Sequence, residues 1–162
     1  MSFVAKGGKF IYAWSMIGSD GSFYLPEQAL QEYHIQPGTP IILMSGRNTS
    51  RGFSVVCKEL IGNSPLATIF ANVPQLMNFS VEEGRVLKFK ERLFCWVHLN
   101  HDRIFHLPLK SLKQFGLAPG DKLLCLRTCH LSFSCLSEGP YVERAESVGD
   151  IKIYNALHEA DR

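Results

Sequence analysis

A gapless internal repeat constrains the fold of this chain more than any other feature. Residues 17–43 correspond to residues 99–125 after a shift of 82 positions, and the register extends back to Trp14 and Trp96. Further pairs are Asp20 with Asp102, Phe23 with Phe105, Leu30 with Leu112, and Pro37-Gly38 with Pro119-Gly120. Two copies are too few for a solenoid, which needs at least three stacked repeats. The repeat therefore predicts a pseudo-symmetric pair, equivalent to a dimer contained in one chain.

Composition indicates a folded chain with a sizeable core, since 46% of the residues are apolar and 11% are aromatic. The longest apolar stretches, such as 40–44, are strand-sized, whereas a bilayer-spanning helix needs about 20 apolar residues. No membrane span is therefore predicted, and the N-terminus lacks the apolar core of a signal peptide. Five sparsely spaced cysteines favour reduced thiols and a cytoplasmic location.

The repeat divides the chain into four segments. Copy one covers residues 8–57 and copy two covers residues 90–137. The connecting segment, 58–89, lies between them, and an acidic extension, 138–162, follows them. Four short strands and one short helix make too small a core to fold alone, so the two copies are predicted to close on each other.

Each copy predicts the order strand, strand, helix, strand, strand. Aromatic and β-branched runs bounded by Gly, Ser and Asp favour strands, and Pro26 and Pro108 suit the first turn of a helix. In copy one the predicted strands are 10–17, 23–25, 40–45 and 53–57, with a helix over 26–34. In copy two the strands are 93–99, 104–107, 122–128 and 131–136, with a helix over 108–115. Outside the copies, 66–71 is predicted as a short helix or strand, 85–89 as a strand and 151–158 as a short helix.

A turn, a short strand ending in Leu-Pro, a short helix and a Pro-Gly turn before an apolar strand resemble the AbrB/MazE/SpoVT-type swapped-hairpin domain. The matching residues are Phe23-Tyr24-Leu25-Pro26 with Ile35-Gln36-Pro37-Gly38-Thr39, and Phe105-His106-Leu107-Pro108 with Leu117-Ala118-Pro119-Gly120-Asp121. The resemblance implies a mainly β fold with short helices, in which two AbrB-like ββαββ units form an intramolecular pseudo-dimeric swapped-hairpin barrel. It also implies a DNA-binding transcriptional regulator.

The chain departs from that family at its basic positions. The family commonly has Arg or Lys directly after the turn glycine, where copy one has Ser22. It also has Arg on the helix, where the two copies have Leu30 and Leu112. Residues 85–127 nevertheless carry a net charge of +6, against −1 for residues 1–84 and −3 for the remainder. Contact with DNA is therefore predicted to occur mainly through copy two.

The predicted contacts with double-stranded DNA are basic residues of both copies and of the N-terminus. They are Arg103, Lys110, Lys113, Arg92, Lys122, Arg127, Arg47, Arg51, Lys6 and Lys9. The missing helix arginine favours an alternative, a module for self-association or protein interaction that does not bind DNA. A ligand sensor using the connecting segment and the extension is a third hypothesis.

Catalysis and metal binding are not predicted. The chain contains no nucleophile motif, phosphate loop or paired-carboxylate signature, so it is not expected to be an enzyme. The cysteines lack a C-x-x-C pair, so neither a metal nor another cofactor is expected. Trp14 and Trp96 are predicted to be core aromatics that pair across the pseudo-two-fold axis.

Overall fold

The computed structural model describes residues 3–4, 10–46, 51–56, 61–62, 64 and 66–156. The strands are β1 (Phe3–Val4), β2 (Phe10–Met16), β3 (Ser22–Tyr24), β4 (Pro40–Met44), β5 (Gly52–Val56), β6 (Leu87–Phe89), β7 (Arg92–His98), β8 (Ile104–His106), β9 (Lys122–Arg127), β10 (Ser132–Leu136) and β11 (Ile153–Asn155). The helices are α1 (Glu27–Glu32), α2 (Leu66–Ala71), α3 (Pro74–Met77), α4 (Leu109–Gln114) and α5 (Pro140–Val148). The fold is mainly β with short helices, as the sequence predicts.

The helices α1 and α4 begin and end in the same way. Each follows a proline, whose missing N–H would have no partner in the first helical turn. Each ends at a residue with positive φ, His34 at 55° and Gly116 at 76°. The next residue then donates its N–H back into the helix, from Ile35 to the Leu30 carbonyl in α1. The reversal turns the chain toward the following strand.

The strands of the two copies interleave in one large sheet of order β1-β2-β9-β10-β5-β4-β7-β6. Strand β2 of copy one pairs with β9 of copy two, and β7 of copy two pairs with β4 of copy one. The central pair, β5 with β10, also joins the copies. Strands β3 and β8 form a separate two-stranded ribbon, again with one strand from each copy.

The sheet of the described residues is open, so the predicted closed barrel is wrong. Strands β2 and β7 would have to meet for the sheet to close. Instead, the outer edge of β2 is occupied by β1 and by the parallel strand β11, and the outer edge of β7 by β6. Strands from outside the two repeats therefore end the sheet on both sides.

One core lies between the inner face of the sheet, the ribbon and the helices α1 and α4. Equivalent side chains of both copies enter it, and all are at most 8% exposed. The equivalent pairs are Ile17 with Leu99, Phe23 with Phe105, Leu25 with Leu107, Leu30 with Leu112, Tyr33 with Phe115, and Ile35 with Leu117. Because the two copies share this core, neither has a complete core of its own.

Helices from outside the ββαββ units pack on the outer face of the sheet at two places. Helix α5, the C-terminal cover, packs with Val142 and Ala145 on β2 and β9. Helices α2 and α3, the connecting cover, pack with Phe70 and Leu76 on β4 and β7. The two covers follow β10 and β5, so the connecting segment and the extension occupy equivalent positions in the two copies.

The extension differs from its prediction. Its helix is Pro140–Val148, and the predicted helix over 151–158 is wrong, because Ile153–Asn155 is a strand. Gly149, at φ 84°, ends the helix, and the Trp14 N–H then donates to the Lys152 carbonyl. That hydrogen bond starts the pairing of β11 with the free edge of β2.

The two tryptophans do not form the predicted pair. Trp14 is buried under the C-terminal cover, with Lys122 Nζ 4.2 Å from its ring centroid. Trp96 is half-buried under the connecting cover, packs 5.3 Å from Phe79 and donates its Nε1–H to the Val81 carbonyl at 2.7 Å. Both side chains lie on the outer face of the sheet, on strands that are well separated, so they cannot meet.

Candidate nucleic-acid interface

Arg127 is one of several predicted DNA contacts that bind within the protein itself. Its guanidinium donates to both carboxylate oxygens of Glu32 at 2.6 and 3.0 Å and lies 4.9 Å from the Phe10 ring centroid. Tyr12 also donates its hydroxyl to Glu32. Burial raises the pKa of Glu32, but these hydrogen bonds outweigh it and hold the pKa below its usual value. Arg127 thus joins β9 of copy two to α1 of copy one.

Arg51 makes the corresponding connection from copy one to copy two. Its Nε donates to the Gly116 carbonyl at the end of α4 at 2.6 Å, and its Nη2 lies 3.2 Å from Asp121 Oδ2. The end of α1 is held similarly, since Tyr33 donates its hydroxyl to the Cys129 carbonyl at 2.5 Å. Burial raises the pKa of Tyr33 to about 12, so this donor keeps its proton at neutral pH.

Arg103 occupies the turn between β7 and β8 with φ 66°, at the position equivalent to Gly21. Its Nε donates to the Tyr24 hydroxyl at 3.1 Å, and this hydrogen bond raises its pKa. The Tyr24 ring packs 4.5 Å from Tyr154 of β11. Arg103 therefore lies beside the C-terminal strand and contributes to an aromatic cluster.

Lys122 and Arg92 are also half-buried. Lys122 lies over Trp14, as described above, and Arg92 places Nη1 3.2 Å from Met44 Sδ at the start of β7. Lys6, Lys9 and Arg47 lie outside the described residues. The predicted contacts therefore occupy several separate environments.

Copy two nevertheless brings a smaller group of basic residues together at α4. Arg85 and Lys110 line one cleft of about 490 Å³, and Lys113 lies three residues further along the exposed side of α4. Within the described part of the chain, none of these three residues forms an ion pair. Lys88, on β6, is also exposed and has no ion-pair partner in the same ranges. Glu82 and Glu83 line the same cleft, so it carries two carboxylates beside its two basic side chains.

Hydrogen bonds join the cleft to the edge of the sheet. Ser111 of α4 donates its hydroxyl to the Gly84 carbonyl at 2.5 Å, and the Gly84 N–H donates to the Trp96 carbonyl at 2.8 Å. Glu83, which also lines the cleft, accepts the His98 N–H at 2.9 Å. The connecting segment is therefore fixed against α4, and its Arg85 lines the same cleft as Lys110.

Among the described residues of copy one, no corresponding basic group lies at α1. The positions of Lys110 and Lys113 are occupied by Gln28 and Gln31, both exposed on α1, and Glu27 precedes them. The difference is visible in the sequence once the copies are aligned. Arg85 was not among the predicted contacts, because only the folded connecting segment brings it beside α4. Its sole sequence signal was the net charge of residues 85–127.

Among the described residues, no three His, Cys, Asp or Glu side chains are grouped as metal ligands. No helix in the same part of the chain combines the length and the apolar character needed to cross a membrane.

Neither a protein-family model, nor a curated protein sequence, nor a solved structure matches this chain.

Proposed function

We propose that this protein is a DNA-binding transcriptional regulator of the AbrB-like type that contacts double-stranded DNA asymmetrically, through copy two. The observation that supports the proposal best is the placement of Arg85 and Lys110 around one cleft, with Lys113 exposed on the same helix. The charges of Arg51 and Arg127 are matched inside the protein, so they are not part of the proposed interface.

The proposed mechanism is electrostatic positioning on the phosphate backbone. Exposed lysine and arginine side chains neutralise phosphates and release condensed counterions, which gives an affinity that falls steeply with salt. Phosphate contacts set the orientation of a protein on the duplex, whereas contacts with base edges set its sequence preference. The cleft residues contact phosphates and so orient the protein on the duplex. Selectivity then comes from the shape of the duplex.

The experiment is a fluorescence anisotropy titration of mixed-sequence duplex DNA at about 50 and 200 mM salt. The variant Lys110→Gln/Lys113→Gln gives α4 the residues of α1. We expect it to lower the magnitude of the slope of log affinity against log salt by about 2, because two phosphate contacts are lost. The matched control is Arg51→Gln/Arg127→Gln, which removes the same charge elsewhere and is expected to leave the slope nearly unchanged.

The reciprocal variant tests whether lysines at the equivalent positions of α1 can also contact DNA. Gln28→Lys/Gln31→Lys gives α1 the lysines of α4, and we expect it to strengthen binding at low salt by adding a second basic helix face. Absence of binding by the wild-type protein at about 50 mM salt would overturn the proposal. An equal loss in the control variant would place the contact elsewhere.

A second function, protein interaction or self-association, is favoured by the side chain that precedes Lys110. Leu109 is 57% exposed, whereas its equivalent in copy one is Glu27. A large apolar residue beside lysines is suited to a protein interface with an acidic rim. Wild-type protein that does not bind DNA but forms a dimer in sedimentation equilibrium, lost in Leu109→Glu, would support this second function.

A further inference from the structure

Among the described residues, the two helical covers leave part of the middle of the outer sheet face uncovered. Strands lie about 4.8 Å apart, so the strands from β2 to β7 span about 24 Å between their axes. The C-terminal cover packs at the β2–β9 end and the connecting cover at the β4–β7 end. A helix is about 10 Å wide, so the central strands β5 and β10 lie in a groove between the covers.

The sequence of the central strands is suited to an open groove. Beneath the covers, the outward positions are large and apolar, as at Ile42 and Leu124. On β5 and β10 several of them are small or polar, as at Gly52, Ser54 and Ser134, although Val56 packs under the connecting cover and Leu136 is apolar. The groove that results has a volume of about 490 Å³. This volume lies within the range of small-molecule binding sites.

Hydroxyl groups from both copies form the floor of the groove. Ser54 and Ser134 are directly opposite each other in the β5–β10 pair, with their Oγ atoms 3.1 Å apart. Thr128 Oγ1 lies 2.5 Å from Ser134 Oγ, so three hydroxyls form one continuous row. Such a row can donate to an acceptor placed above it, because each hydroxyl rotates to suit its partner.

A guanidinium and apolar walls complete the groove. Arg92 lines it, held next to Met44 by the 3.2 Å contact with the thioether sulfur. Leu66 of the connecting cover and Leu136 of β10 also line it. A guanidinium presents a planar set of donors that matches a carboxylate, and its charge makes those hydrogen bonds stronger than neutral ones.

We infer that this groove binds a small organic carboxylate, with its carboxylate at Arg92 and the Ser54–Ser134 hydroxyls and its hydrocarbon part against Leu66 and Leu136. The apolar walls favour a carboxylate with a hydrocarbon body over a purely inorganic anion. None of these residues lines the cleft at α4. The carboxylate site therefore stands independently of the proposed DNA interface.

The test titrates sodium octanoate, as the probe, into the full-length protein to about 10 mM. Binding is followed by ¹⁵N–¹H NMR. We expect saturable shifts at Ser54, Ser134 and the Arg92 side chain. Octanol, which lacks the charge, and inorganic phosphate, which lacks the hydrocarbon body, are expected to bind at least ten-fold more weakly. Arg92→Gln is expected to weaken octanoate binding about ten-fold or more, since a charge-assisted bidentate contact is lost.

Two further measurements separate binding from misfolding. Ser54→Ala/Ser134→Ala removes the floor hydroxyls without touching Arg92 and is expected to weaken octanoate binding several-fold. Cys129, exposed at the edge of the groove, is expected to be alkylated more slowly by iodoacetamide when octanoate is present. Cys57 is replaced by serine for this assay. Because Cys95, Cys125 and Cys135 are buried, the alkylation measured is then that of Cys129.

The control Arg51→Gln removes an arginine outside the groove and is expected to leave octanoate binding unchanged. The inference is overturned if octanoate produces no saturable shift, if octanol binds as well, or if Arg51→Gln has the same effect as Arg92→Gln. DNA binding in the anisotropy assay has no bearing on these outcomes.

Discussion

Copy one and copy two bury equivalent side chains and expose different ones. Leu30 and Leu112 are each 2% exposed and lie in the same core. On the opposite sides of their helices, copy one exposes Gln28 and Gln31 where copy two exposes Lys110 and Lys113. The shared core restricts the inner positions of both copies, whereas the outer ones are exposed to solvent. The exposed surfaces of the two copies can therefore differ while the core that they share remains nearly equivalent.

The edges of the sheet show the same divergence. The outer edge of β2 is extended by the parallel strand β11, whereas the equivalent stretch of β7 accepts the Gly84 N–H at the Trp96 carbonyl and donates the His98 N–H to the Glu83 carboxylate. An edge with unpaired N–H groups invites pairing with another chain. Copy one therefore protects its edge with a strand, and copy two protects it with one backbone hydrogen bond and one side chain.

The comparison is tested most strongly in the shared core. Leu30→Ala and Leu112→Ala each remove a buried leucine from the same cluster, and each is expected to lower the free energy of unfolding by about 2–5 kcal/mol. Because the copies share one core, both variants should still unfold in a single transition. Urea denaturation followed by both circular dichroism and tryptophan fluorescence measures the loss and the number of transitions.

The matched control is Leu109→Ala, an equal truncation at a 57% exposed position of the same helix. It is expected to change the free energy of unfolding by no more than about 0.5 kcal/mol. Two separate transitions, or a loss confined to one copy, would contradict the shared core.

The second prediction concerns the turn before β3 and before β8. Gly21 has φ 82°, and a Cβ atom there would lie 2.1 Å from the Leu107 carbonyl oxygen. Gly21→Ala should therefore destabilise the protein by about 2–4 kcal/mol, through backbone strain and displacement of the ribbon. The equivalent Arg103→Ala keeps a Cβ in a turn that already accepts one, and should cost about 1 kcal/mol through loss of the hydrogen bond to Tyr24.

Thermal unfolding of the two variants under identical conditions measures that difference. Equal losses at the two positions would mean that the turns are equivalent despite their different residues. A larger loss in Arg103→Ala would instead make the contact with Tyr24 the main support of the turn.

Much of the fold could be predicted because the residues that the two copies share are those at buried positions and in turns. Leu25-Pro26 and Leu107-Pro108 located both helices to within one or two residues of their observed starts. The covers are harder to predict, because α5 begins after Gly139 within a stretch whose acidic composition is typical of a tail. The open sheet could not be predicted, because β6 and β11 bind edges that the repeat alone leaves unassigned.

The candidate interface was predictable only in part. Lys110 and Lys113 are apparent as soon as copy two is aligned with copy one. The partners of Arg51 and Arg127 were not apparent, since Asp121 and Glu32 are distant in sequence and meet only through the interleaved strands. The sequence shows which residues are charged, but the tertiary structure determines whether each charge is already paired within the protein.

The smallest expected effect tests the connection between α1 and β9. Glu32→Gln removes the carboxylate that accepts from Arg127 and Tyr12, and should lower the free energy of unfolding at pH 7 by about 1 kcal/mol, since the pair is partly exposed. The pKa of Glu32 is lowered in the folded protein, so its stabilising effect is complete above the unfolded pKa of about 4.3. The effect is lost as the pH falls through the folded pKa.

The measurement is the difference in free energy of unfolding between wild type and Glu32→Gln at pH 7 and near pH 3. We expect the difference to shrink in acid, because Glu32 then gains a proton in the wild type and loses its charge. Glu27→Gln, on the same helix, is the control and should cost less than about 0.5 kcal/mol at pH 7. A difference that stays constant with pH would assign the stabilisation to packing of the Glu32 side chain instead of its charge, and the arginine would then be available to a partner outside the protein.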